Sequence, residues 1–255
     1  MTRIAGVVVP LSLIGAGLIT LLDAAALTTP YTNTFDTAAS TNDFAFGRSP
    51  TNKSAFVIWS WNSLSLKNTL NGAGAGTSLS GWATLDFSGP GGIDAAIHDF
   101  NMTASLKTRH SSTGEITRSG GYQGLCALAT DTNLTDYYYG SFIFTNVVGS
   151  LQIARISGGV TGLAVTQALT IAYNRNTTYG VGLQGVHLRG QLILTLNVWD
   201  GPVTNSVSLT DPSPLAGSYY GYRDFSYNGS PDFWWDNLTV TSSLTRFRGS
   251  LLLLK

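Results

Sequence analysis

Gln191-Leu192-Ile193-Leu194-Thr195-Leu196-Asn197-Val198-Trp199-Asp200-Gly201 is the stretch whose reading decides the fold. Leu192, Leu194, Leu196 and Val198 alternate with Ile193, Thr195, Asn197 and Trp199. A period of two places one set inward and the other on the opposite face of a strand. Asp200-Gly201 then reads as a turn. Working outward, short apolar or alternating runs recur at 55–59, 82–87, 99–107, 124–129, 141–145, 150–156, 163–172, 179–188, 205–210, 218–223 and 233–241. Gly, Asn, Ser and Pro separate them. No window keeps a 3.6-residue apolar period over three turns, and only 93–98 reads as one helical turn. So many short strands with turn chemistry between them predict an all-β chain, a two-sheet antiparallel β-sandwich or jelly roll, with no internal domain boundary.

Composition agrees. Of 255 residues only 11% are charged, against about 25% in ordinary soluble domains. The 14 acidic residues include one Glu, Glu115, and the four lysines are Lys53, Lys67, Lys107 and Lys255. That is a poor helix alphabet and a good strand and turn alphabet. The formal net charge is zero, which argues against a nucleic-acid partner, since such binding needs a basic face. Cys126 is the single cysteine and lies in an apolar run; it reads as a small buried hydrophobe.

The two ends differ from the middle. Arg3, then 19 uncharged residues from Ile4 to Leu22, then Ala24-Ala25-Ala26 have the layout of a secretory signal peptide cleaved after Ala26. Pro10 and Asp23 fit poorly in an uncleaved anchor. The expected organisation is a signal peptide over 1–26, one sandwich over 27–243 and a disordered tail over 244–255, in a protein secreted to the extracellular space or cell envelope. Loss of Arg3 and Asp23 with the leader takes each charge count from 14 to 13, so the chain that follows it stays balanced.

An ordered series of motifs fills the C-terminal half. It runs from Gly149-Ser-Leu-Gln-Ile-Ala-Arg-Ile156 through Trp199-Asp200-Gly201 and Leu215-Ala-Gly217-Ser-Tyr-Tyr-Gly221 to Asp232-Phe-Trp-Trp-Asp-Asn-Leu-Thr-Val240. This series resembles the concanavalin A-like lectin/glucanase superfamily, the LamG-type jelly roll, over about four-fifths of the chain. The leader and the basic-plus-leucine tail also resemble secreted bacterial proteins of the exopolysaccharide-associated sorting type, although the Pro-Glu-Pro motif is missing. The first resemblance implies a last strand pairing with the first near 32–36. It also implies a structural calcium near those termini, with Asp36, Asp236 and Asn237 as candidate ligands. The parity of Asp236 with Leu238 and Val240 places it on the core side, where a carboxylate binds metal or accepts hydrogen bonds from the N–H groups of a turn.

The chemistry present favours binding over catalysis. A glycosidase of this superfamily carries paired carboxylates on one strand, and one Glu cannot supply its pattern. A polysaccharide lyase is the alternative enzyme reading, with Gln184, His187 and Arg189 as the nearest constellation. A sugar site needs an aromatic platform with a few polar partners. The aromatic candidates are Tyr138, Tyr220 and Tyr222, with Asp200, Asn205 and Arg223 as polar partners, while Trp199 and Trp235 read as core. The expected function is a secreted, non-catalytic carbohydrate-binding module whose partner is an extracellular polysaccharide or glycan. The alternatives are a structural or adhesive surface protein that contacts other surface proteins, and the lyase. Balanced charge favours a neutral glycan over a polyanion.

Overall fold

The computed structural model describes residues 27–49, 57–62, 64–70, 78–96, 98–110, 121–145, 148–226 and 231–244. The segment expected to be a signal peptide (1–26), most of the expected tail (245–255), Glu115 and Gly72–Gly76 lie outside these. The described residues form two antiparallel sheets that face each other across one apolar core.

Sheet A contains β1 (Tyr31–Asn33), β3 (Val57–Trp61), β4 (Leu66–Leu70), β6 (His98–His110), β11 (Tyr179–Leu188), β12 (Gln191–Asp200), β13 (Val203–Asp211) and β15 (Pro231–Leu244). Its order is β13-β12-β11-β6-β15-β4-β3, with β1 beside β15. Sheet B contains β2 (Ala45–Ser49), β5 (Leu79–Asp86), β7 (Tyr122–Ala129), β8 (Asp136–Ile143), β9 (Gly149–Ser157), β10 (Val160–Leu169) and β14 (Tyr219–Ser226). Its order is β10-β9-β8-β7-β14-β5-β2. The period of two holds in β12, where Leu192, Leu194, Leu196 and Val198 are all fully buried. Region 93–98 is a single turn, closed by the N–H of His98 donating to the Asp94 carbonyl at 2.9 Å.

The expected pairing of the first and last strands is present, with Asn33 opposite Leu238. The expected placement of Asp236 is overturned. Phe233 and Trp235 point into the core, and so do Leu238 and Val240, although the two pairs have opposite parity. A bulge between Asp236 and Thr239 inserts the extra residue, and Asn237 takes a left-handed φ of 52° there. A bulge reverses the facing of everything beyond it. Asp236 therefore lies on the outer face with Trp234, not over the core.

Aromatic rings fill one end of the core. Trp235 stacks on Tyr222 at 4.4 Å, Tyr222 on Phe44 at 5.9 Å, and Phe44 on Phe35 at 5.6 Å. Among them lies Asp224, fully buried, whose Oδ2 accepts from Asn68 Nδ2 at 2.9 Å and Trp235 Nε1 at 3.2 Å. Burial pushes its carboxyl up to about 7, against the pull of those hydrogen bonds and the Arg223 charge. Gly81 makes room for this arrangement, because a Cβ there would sit 2.8 Å from Asn68 Nδ2 and 2.7 Å from Val57 Cγ1.

Candidate functional site

The outer face of sheet B is where the chain departs from an ordinary sandwich. No second layer covers it among the described residues, yet Tyr137, Tyr139, Ser141, Ala154 and Ile156 on that face are all buried. A hollow of about 480 Å³ opens there, lined by Tyr122, Tyr137, Tyr139, Ser141, Gln152, Ile156, Thr161, Arg223 and Phe225 among others.

Register explains the hollow. One row of cross-strand partners runs over all seven strands: Gly47, Trp82, Arg223, Gly124, Ser141, Gln152 and Thr166. Gly124 leaves no side chain between Arg223 and β8, and a Cβ at that position would lie 2.1 Å from the Gly140 carbonyl oxygen. The next outward row places Tyr139 among small neighbours, with Gly221, Cys126, Ala154 and Ala164 as its partners along the row. Large groups ring a floor of small ones, and the sheet is concave where side-chain volume is missing. A flap closes one end. Trp82 lies against Gly47 and donates its Nε1–H to the Thr132 carbonyl at 2.9 Å, while Leu134 packs in the same cluster as Tyr137 and Tyr139.

Arg223 crosses the floor. Its guanidinium carbon lies 4.9 Å from the ring centre of Tyr139, 5.5 Å from Tyr137 and 5.7 Å from Phe225. Cation–π attraction of this kind grows when the cation is partly desolvated. The Tyr139 hydroxyl donates to the Arg223 backbone carbonyl at 2.9 Å, which fastens the floor strand to the strand bearing the cation. Burial pushes the hydroxyl of Tyr137 up and that of Tyr139 well up, with the Arg223 charge pulling both the other way.

Of the residues expected from sequence, Arg223 alone lines this hollow. Tyr138, Tyr220 and Tyr222 are fully buried between the sheets, so they offer no platform to a ligand. Tyr138 donates to Asp211 Oδ2 at 2.5 Å, and Arg155 reaches the same oxygen at 2.9 Å. Burial alone would raise the Asp211 pKa, but the hydrogen bonds from Tyr138, the Ser213 N–H and Arg155 outweigh it and hold the carboxyl below its usual range. Asp200 sits at the β12–β13 turn. Asn205 ties β13 to the end of β10 by accepting from the N–H of Thr170 at 2.7 Å and of Ile171 at 3.2 Å. Trp235 is core as expected, whereas Trp199 lies half-buried across Gly180 on the outer face of sheet A.

Sequence reasoning missed Tyr122, Tyr137, Tyr139, Ser141, Gln152 and Phe225. One signal was available. Arg223 shares parity with Tyr219 and Phe225, not with Tyr220 and Tyr222, so a site built on Arg223 could not include the latter on one regular strand.

Of the calcium candidates, Asp36 and Asp236 lie near enough that burial and the Asp36 charge together raise the Asp236 carboxyl, against the Asn237 N–H. Calcium takes six to eight oxygens. Asp236 instead accepts from the backbone N–H of Asn237 at 2.7 Å and from its side-chain amide at 3.1 Å. Asp36 accepts from the Thr34 hydroxyl. No group of three or more His, Cys, Asp or Glu suited to a metal occurs among the described residues. The lyase constellation is not assembled either. Gln184 is exposed, the His187 backbone N–H donates to Asp99 at 2.8 Å, and Arg189 occupies the turn into β12 with φ of 54°.

No protein-family model and no curated protein sequence matches the chain. Solved structures do. The lectin from Bauhinia forficata in complex with GalNAc superposes with a TM-score of 0.55 at 13% identity, over 85% of this chain and 100% of the lectin. Lectin UEA-II complexed with galactose gives 0.53 at 11%, over 84% and 98%. The legume lectin-like domain from Entamoeba histolytica gives 0.50 at 12%, over 87% and 98%. The chain shares with these lectins a two-sheet antiparallel jelly-roll fold, the fold that the motif series implied.

Proposed function

We propose that the protein is a secreted, non-catalytic lectin-like module that binds a saccharide in the hollow of sheet B. The observation that carries this reading is the row from Trp82 through Arg223 to Gln152, which makes a concave, aromatic and polar-edged surface on the outer face of sheet B. Pockets of a few hundred cubic ångströms with apolar walls and a few placed polar groups suit small ligands. The solved neighbours in complex with GalNAc and galactose support a sugar as that ligand, and the leader read from 1–26 supports an extracellular or cell-envelope setting. None of the described residues lining the hollow is Asp, Glu or His, so the paired carboxylates of glycoside hydrolysis have no source there. The reading requires no calcium.

Binding of an oligosaccharide panel by calorimetry, repeated with Tyr122→Ala and Phe225→Ala, tests it. These two half-buried rings face each other across β7 and β14 at the rim. We expect at least a tenfold loss of affinity with the melting temperature kept within a few degrees. Affinity unchanged by both substitutions removes the hollow as the site.

A second reading, a structural or adhesive protein, draws on the opposite face. There Thr195 pairs with Ser208 at 2.9 Å and Asn197 with Ser206 at 2.5 Å, which makes a flat polar ladder. Self-association without saccharide binding would favour it.

A further inference from the structure

We infer that the saccharide held in the hollow carries a carboxylate, and that Arg223 is the group that reads it. This rests on the binding reading above and narrows its ligand class; it also reverses the preference for neutral glycans drawn from net charge.

The case begins with what Arg223 lacks. Its guanidinium touches three rings, but no ion pair or side-chain hydrogen bond engages it among the described residues. Its neighbour in sequence, Asp224, points through the sheet to the other side, where Asn68 and Trp235 hold it. Another arginine of this sheet, on β9, behaves differently: Arg155 is spent on Asp211 at 2.9 Å and on the Ser213 carbonyl at 2.6 Å. A half-buried cation whose planar fork has no acceptor is a site with an unmet demand. Three aromatic walls fix its orientation, so a ligand has little side-chain entropy to pay for. The planar fork of an arginine matches a carboxylate by two parallel N–H···O bonds, which an ammonium cannot do.

A second observation points to the same place. Ser141 lies one strand beyond Gly124 in the row that contains Arg223, lines the hollow, and is fully buried with a hydroxyl that has no hydrogen-bond partner. Buried hydroxyls are normally paired. Next along the row, the Gln152 amide also makes no side-chain hydrogen bond among the described residues and is half-buried at the rim. One row thus offers a fixed cation, a hydroxyl and an amide across four adjacent strands, with Gly124 leaving the gap between the cation and the hydroxyl. That is the complement of a sugar ring with a carboxylate at one end and hydroxyls along its edge.

The test uses the full chain and two forms of one probe: an oligogalacturonate and the same oligomer with its carboxyls reduced to alcohols. Affinities are measured by calorimetry at fixed ionic strength. We expect the acid to bind at least tenfold more tightly than the reduced form. Arg223→Gln should abolish that ratio, and Arg223→Lys should restore only part of it. Ser141→Ala serves as the variant that keeps Arg223 and its walls in place. It should weaken the acid severalfold while leaving thermal stability unchanged or raised, because it removes an unpaired buried hydroxyl. Equal binding of the two oligomers overturns the carboxylate inference and leaves saccharide binding standing. Binding of neither form, together with no hit in the neutral panel, overturns both. An acid preference that survives Arg223→Gln also overturns it, and moves the anion to another basic surface such as that of Lys107 and Arg109.

Discussion

The outer faces of the two sheets each place cations against aromatic rings, and they do so with opposite electrostatic outcomes. On sheet A, Lys67, Trp234 and Lys107 stand in one cross-strand row. Lys67 lies 5.0 Å and Arg109 5.3 Å from the Trp234 ring centre. That cluster carries its own counter-charge, since Lys67 pairs with Asp232 at 3.2 Å and Asp236 lines the same depression. On sheet B no ion pair engages the cation over the rings among the described residues, and Asp224, which feels its charge, lies on the other side of the sheet. The difference teaches that a cation–π contact alone does not mark a site. What distinguishes the hollow is a cation held by rings with no ion pair among the described residues, over a floor of small residues that makes it concave.

Packing gives the largest expected difference between the two faces. Gly124→Ala in the hollow drives a methyl onto the backbone of β8 at 2.1 Å, whereas Gly182→Ala on sheet A meets nothing nearer than the Trp199 ring at 3.4 Å. Chemical denaturation should show the first to cost about 3 kcal/mol or more and the second less than about 1 kcal/mol. Similar costs would mean that the concavity is not set by the missing side chain.

Asp224, behind the hollow, should control pH dependence. Its pKa in the folded protein, about 7, exceeds its ordinary value of 3.8. A carboxyl raised by folding favours the folded state below its unfolded pKa and loses that contribution as pH rises through the folded one. Wild type should therefore lose up to a few kcal/mol between pH 4 and pH 8 from this group, and Asp224→Asn should flatten that slope. A slope unchanged in the variant would show that Asp224 is not the titrating group.

Breaking the compensated pair on sheet A should do little. Asp232→Asn removes a partly exposed ion pair and is expected to cost about 1 kcal/mol or less in the same denaturation assay. Smallest of all, chelation by EDTA should leave the melting temperature unmoved, since Asp236 is already satisfied by Asn237. A rise of several degrees on adding calcium would overturn that.

Much of the architecture was readable in the chain. The alternation in β12 follows from period-two patterning, and the pairing of the first and last strands was implied by the family resemblance; the core position of Trp235 does not follow from parity, which would have turned it outward. The site was readable only in part. Arg223 stood out, but Tyr137-Tyr138-Tyr139 presents the same residue to both faces, so no alternation of polarity shows which ring meets solvent. In β5, β7 and β8 nearly every residue is buried on both faces, so hydrophobicity carries no inward-outward signal there. Asp236 failed for a different reason, since parity counting assumes an unbroken strand and Asn237 breaks it.

By itself the sequence determined the class of fold, because a poor helix alphabet and a two-residue period leave few ways to bury apolar surface. It also determined that a two-carboxylate glucanase pattern could not be built with one Glu. Only the tertiary structure decided which face of sheet B is concave, which tyrosines floor it, and that Arg223 makes no ion pair among the described residues. Those outcomes depend on register between strands distant in sequence. A row such as Gly47, Trp82, Arg223, Gly124, Ser141 and Gln152 exists only once seven strands have been aligned.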